Sequence, residues 1–158
     1  MASISVSGIA CAARIAASAR SIGAAALLLA AGTARATDLE VQIHGLRNMR
    51  GSIELCLTRS PAHFPDCTGS PGMVSRTVRA ADAGSVLFRG LPPGDYAVSV
   101  IHDENDDGRL NTFVGIPREG FGFSRNPRIR MGPPRFEECR IAVTGAAMRE
   151  VIQIKYLL

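Results

Sequence analysis

The densest run of chemistry-bearing side chains in this 158-residue chain is His102-Asp103-Glu104-Asn105-Asp106-Asp107-Gly108-Arg109-Leu110-Asn111. Asp103, Asn105 and Asp107 alternate, Gly108 permits a sharp turn, and Arg109 can offer only its backbone carbonyl. Oxygen donors on alternate residues of a tight loop converge, and calcium takes about six to eight of them. A cation there would also relieve repulsion between neighbouring carboxylates. The position where a bidentate Glu would close such a cage is Val114, so Glu119 would have to fold back as the last ligand. Asp, Asn and Gly are equally the residues of a solvated hairpin turn. Two readings therefore stand side by side. One is a calcium site made by Asp103, Asn105, Asp107, the Arg109 carbonyl and Glu119; the other is a plain turn.

Catalysis has less support. His102 with Asp103 or Glu119 could serve as the acid–base pair of a hydrolase, but an exposed turn lacks the burial that raises a carboxyl pKa. Ser124-Arg125-Asn126 lacks the G-x-S-x-G setting of a nucleophile. No Gly-rich phosphate loop opens a helix, and no Cys/His spacing suits zinc. Calcium is the one cofactor the residues suggest.

The elements that must position this loop read as strands. Leu39, Val41 and Ile43 alternate with polar neighbours, as do Ile53, Leu55 and Leu57. A weaker run covers Met73 to Arg79, and a short one covers Ser85 to Phe88. Tyr96, Val98, Val100 and His102 share one face of the clearest strand. Cys139, Ile141 and Val143 mark another, and Glu150 to Leu157 a last one. Such period-two runs, punctuated by Asn48–Gly51, Ala83-Gly84 and Leu91-Pro92-Pro93-Gly94-Asp95, predict an all-β sandwich of about seven strands with Greek-key-type connections. Residues 103–135 break the rhythm and are expected as one long ordered loop, a candidate functional surface. Its apolar anchors would be Phe121 and Phe123, with Arg125 beside them, unless the two Phe simply seal the sandwich end.

The first 36 residues carry Arg14, Arg20 and Arg35 and no acidic residue. The apolar stretch Ile22–Ala31 precedes Ala34-Arg35-Ala36, so the segment reads as a cleaved secretory signal peptide. The apolar run, about ten residues, is too short to span a bilayer. Residues 37–158, expected as a single domain, keep 15 of the 18 basic side chains and all 14 acidic ones. Their net charge of +1, against +4 for the whole chain, leaves no basic stripe for nucleic acid. No later stretch is long enough to cross a membrane, and a monomer is expected. Of the four cysteines, Cys56 on the polar side of its strand and Cys67 in the following loop are the expected bridge. Cys139, expected to point with Ile141 and Val143 into the core, would stay a free thiol.

The stretch F-R-G-L-P-P-G-D-Y-A-V-S-V-I-H-D-E-N-D-D-G-R-L-N (Phe88 to Asn111), then G-I-P-R-E-G-F-G-F-S (Gly115 to Ser124) and G-P-P-R-F-E (Gly132 to Glu137), resembles the bacterial family called domain of unknown function 2141. The resemblance covers about residues 39–158. It departs at Asn111, where the family usually has Asp, which weakens the calcium reading. The resemblance implies a small exported protein, periplasmic or extracellular in a Gram-negative bacterium, of no established activity. The F-x-x-L-x-P-G-x-Y-x-V element (Phe88 to Val98) also resembles prealbumin-like and Ig-like modules, in which the Tyr packs beneath the Pro-Gly turn. Such modules are usually non-enzymatic. The reading that results is an exported, non-catalytic module that binds an unidentified ligand or envelope partner.

Overall fold

The computed structural model describes residues 35–158 except 131 and 146. The expected leader, residues 1–36, therefore lies outside the described residues apart from Arg35 and Ala36. Period-two alternation becomes strand at each expected place: β1 (Thr37–His44), β2 (Ser52–Thr58), β3 (Val74–Arg79), β4 (Ser85–Leu91) and β5 (Gly94–Asp103). The excursion adds β6 (Thr112–Phe113), β7 (Ile116–Pro117) and β8 (Gly120–Phe123). A one-turn helix, α1 (Phe136–Cys139), precedes β9 (Ile141–Val143) and β10 (Met148–Gln153).

The strands form an all-β sandwich. One sheet has the order β10-β1-β4, with β1 and β10 parallel and β1 and β4 antiparallel. The other has the order β3-β2-β5-β8, all antiparallel. β5 is long enough for two partners on one edge: its first residues pair with β9, its last with β8. Ser124 splices the two. Its hydroxyl accepts the Val98 N–H at 3.0 Å and donates to the Cys139 carbonyl at 2.5 Å. Leu39, Val41, Ile43 and Phe88 of one sheet meet Ile53, Leu55, Leu57, Tyr96, Val98 and Val100 of the other in a shared core. Tyr96 is buried and its hydroxyl donates to the Pro92 carbonyl at 2.9 Å, which holds the Pro-Pro-Gly turn over the core.

The stretch 103–135 is not one irregular loop, because β8 is an integral strand of the larger sheet. Its Gly120-Phe121-Gly122-Phe123 is itself period two, with glycine on one face and phenylalanine on the other. The segment after β10 crosses from the first sheet to pair with β8, through Phe121 N–H to Lys155 O at 3.0 Å and Lys155 N–H to Phe121 O at 2.8 Å. A Cβ at Gly120 would lie 2.5 Å from the Tyr156 ring, and one at Gly122 would lie 2.6 Å from Ile152. Glycine is thus what lets that chain lie across β8.

The opposite face corrects the expectation for Phe121 and Phe123. They are 5% and 8% exposed and pack with Phe64, Phe136, Ala97 and Cys139 in a second cluster on the outside of the larger sheet. The Phe64 ring lies edge-on to Phe123 at 5.8 Å and to Phe136 at 6.0 Å. These aromatics seal the sandwich, as the alternative reading of the two Phe had it. Cys56 and Cys67 form the expected disulfide, tying the segment that carries Phe64 to β2. Cys139 is free and buried, but in this outer cluster at the end of α1 rather than on a core-facing strand. Burial pushes its thiol pKa up to about 12.

Candidate functional site

The acidic loop begins where β5 ends, and its side chains are spent on its own backbone. Asp103, 0% exposed, accepts the N–H groups of Asn105 (3.2 Å) and Asp107 (3.2 Å) on one oxygen and of Gly108 (2.7 Å) on the other. Glu119, 5% exposed, clamps both ends of the loop, accepting from Glu104 N–H (3.1 Å) and Asn111 N–H (2.9 Å). Asp107 accepts from the Asn111 and Asn105 amides and from the Arg109 N–H, and these bonds lower its pKa. Buried carboxylates of this kind are stabilised by several N–H donors. The expected set Asp103, Asn105, Asp107 and Glu119 is therefore brought together. Among the described residues, however, no three His, Cys, Asp or Glu side chains are gathered in an arrangement that could hold a metal ion. Glu54, on β2 beneath the loop, shows the field they leave. Burial, then the carboxylates of Asp103, Asp107, Asp106 and Glu119, raise its pKa.

Three residues outside the acidic run tie this loop down. The Arg47 guanidinium, in the turn after β1, pairs with Glu104 and donates to the carbonyls of Leu158 (2.8 Å) and Arg118 (2.9 Å). It also lies 4.5 Å over the Tyr156 ring. The Asn48 amide donates to the same Glu104 carboxylate. Arg47 first, and Asn48 with it, hold the Glu104 pKa at about 2. None of these residues belongs to a recognisable motif; only the fold brings positions so far apart in the chain together.

His102 is 0% exposed, and both ring nitrogens are engaged. Nε2 donates to the Arg50 carbonyl at 2.8 Å, which leaves Nδ1 to accept from the Tyr156 hydroxyl at 2.6 Å. Asp103, its neighbour on the strand, projects to the other face. Neither ring nitrogen of His102 is hydrogen-bonded to Asp103 or Glu119, so the expected hydrolase pair is not made. Arg125 is also set apart. It is exposed beyond the far end of β8, with its N–H on the Glu150 carboxylate at 2.6 Å.

What the clamped loop presents is a hairpin. β6 and β7 pair Phe113 with Ile116, leaving Val114 and Gly115 as a two-residue turn, and Arg118 N–H to Asn111 O (2.9 Å) closes its base. Val114 and Gly115 have φ of 50° and 76°. Two positive φ values mark the turn that best matches strand twist, and Asn-Gly usually fills it. Val there, with its branched Cβ, costs about 1–2 kcal/mol. It is also 85% exposed, between Phe113 at 61% and Ile116 at 43%. Valine is no turn residue, so the sequence reading saw no hairpin here. The remaining signal was Gly115 between two apolar residues.

The profile of a bacterial family described as uncharacterized proteins conserved in bacteria, domain of unknown function 2141, matches residues 41–150. The chain belongs to that family. The match spans both sheets and includes the acidic loop and the hairpin. No curated protein matches. Among solved structures, a pilus-presented adhesin is similar at 13% identity with a TM-score of 0.32, covering 76% of this chain. The chain spans 27% of the adhesin's length.

Proposed function

We propose that this family member is an exported, non-catalytic β-sandwich module, a binding or envelope-associated accessory protein acting as a monomer. Its functional surface lies within residues 103–135 and is centred on the hairpin Thr112–Pro117. One observation carries the reading: Val114 is held at positive φ while 85% exposed between two exposed apolar residues. Strain and solvated apolar area both oppose folding, and neither improves the core, so the tip is kept for a contact outside the fold. The acidic loop supports that tip, and its internal hydrogen bonds make it a rigid mount. A disulfide in a domain this small suits an oxidising compartment, as does the leader expected from residues 1–36. The engaged nitrogens of His102 support a module without catalysis. Among the described residues no helix is long and apolar enough to cross a membrane.

The test is fractionation of cells that make the protein. The combined substitutions Phe113→Ser, Val114→Asn and Ile116→Thr should release it from whatever fraction retains the unaltered chain, with the melting temperature not lowered. Retention identical to the unaltered chain would remove the reading. A calcium-dependent form of the same surface would need Asp103, Asp107 and Glu119 to exchange their backbone N–H partners for the ion. Calorimetry with millimolar calcium decides that point. Absence of both heat and a shift in melting temperature would dismiss the ion.

A further inference from the structure

The aromatic cluster on the outside of the larger sheet is covered by chain that belongs to neither sheet. Residues 59–73, between β2 and β3, hold one 3-10 turn, Pro61–His63, and no strand. Phe64 is the part that reaches inward, its ring edge-on to Phe123 and Phe136. Phe121 and Cys139 lie buried in the same cluster. The Ser99 hydroxyl donates to the Pro65 carbonyl at 2.8 Å, and the Thr58 and Ser70 hydroxyls share a bond of 2.6 Å. The covalent tie is the Cys56–Cys67 disulfide, and Cys67 stands only three residues beyond Phe64. The bridge therefore fixes the end of the cover that carries the ring.

We infer that this disulfide is a redox latch, whose reduction lifts the cover from the outer face and leaves the sandwich folded. The outer cluster is separate from the core between the sheets. The pairing of β5 with β8 and β9 takes nothing from residues 59–73. Cys56 is half-buried on the outward face of β2, within reach of an attacking thiolate, whereas Cys67 is buried. A dithiol supplies the two electrons. Its first thiolate attacks the Cys56 sulfur and expels Cys67 as a thiolate, which takes up a proton. Its second thiolate then displaces the Cys56 thiolate, which is protonated in turn. The protein gains two thiols and the reductant leaves as a disulfide. Losing a tie across 11 residues weakens the closed position of the cover by about a hundredfold. Phe123 and Phe136 then form an open apolar face, and the Cys139 thiol meets solvent.

Cys139 is the built-in reporter. Iodoacetamide labelling of the full-length protein, read by mass on the peptide that holds Cys139, compares the oxidised form with one reduced by dithiothreitol and freed of it. Labelling of Cys139 should be about a hundredfold faster after reduction. Amide hydrogen exchange at Leu39, Val41 and Leu55, in the core between the sheets, should stay slow in both forms. Phe64→Ala, which removes the ring and keeps the bridge, should speed labelling of the oxidised form as well. A disulfide that dithiothreitol leaves intact overturns the inference, as does Cys139 labelling that reduction leaves unchanged. Loss of amide protection in step with Cys139 labelling also overturns it, because the bridge would then be a staple of the whole sandwich. A Phe64→Ala protein that labels no faster would show that Phe64 is not the cover.

Discussion

Glu104→Gln removes the charge that Arg47 holds while keeping an acceptor for the Asn48 amide, and its effect can be worked from the site. Glu104 falls from 4.5 to about 2 on folding, chiefly through the Arg47 guanidinium. At about 1.36 kcal/mol per pH unit, that drop sets a ceiling of roughly 3 kcal/mol. The Arg47 side chain is 39% exposed, so solvent screens the pair, and about 1–2 kcal/mol should remain. Because the folded pKa is the lower one, this contribution is complete above the unfolded value of about 4.5. It is lost as pH falls towards 2. Urea unfolding of both proteins from pH 7 to pH 2.5 gives the difference directly. Glu40, likewise held at about 2 by Ser85 and Arg149, titrates in both proteins and cancels. The variant should be less stable by about 1–2 kcal/mol at pH 7, with less than half of that gap left by about pH 3. No gap at neutral pH, or one that stays constant into acid, would refute the ion pair as the anchor of the loop.

Val114→Asn, which suits positive φ, should raise the melting temperature by a few degrees, corresponding to about 1 kcal/mol of relieved strain; a fall would show that Val114 is not strained. Gly120→Ala should destabilise by about 1–3 kcal/mol in urea, since its Cβ would press on Tyr156 and Ile154. Tyr156→Phe takes the donor from the buried His102 Nδ1 and should cost about 1–3 kcal/mol by the same measurement. Cys56→Ser with Cys67→Ser should lower stability by about 2–3 kcal/mol. In the unaltered protein Cys139 should resist thiol reagents until denaturant is added, since its pKa of about 12 leaves almost no thiolate.

The strands that pair with β1 and β2, and β5 itself, are legible because their faces are wet on one side and dry on the other, as Leu39, Val41 and Ile43 show against Glu40 and Gln42. The disulfide was legible for the same reason, Cys56 standing on the outer face of β2. β8 was missed because glycine reads as punctuation, whereas here Gly120 and Gly122 admit the chain carrying Ile152, Ile154 and Tyr156. Of the two readings open for Phe121 and Phe123, anchors or a seal, the sequence could not choose, because exposure depends on what covers a sheet, here Phe64 and Phe136 from two other segments. The acidic run was visible as residues but not as an architecture. Whether carboxylates face an ion or their own backbone depends on φ and ψ at Asp106 and Gly108, whose φ values are 58° and 75°. The contacts of Arg47, Asn48 and Tyr156 left no local trace, since their partners lie far away in the chain.

The central claim is that the Phe113–Ile116 tip is the surface through which this module makes its contact. A photo-crosslinking side chain at position 114, compared with one at the exposed Arg89 on β4, tests it in cells that make the protein. The account predicts adducts, to lipid or to another macromolecule, that form from position 114 and not from position 89. Equal yields from the two positions, or none from 114, would contradict it.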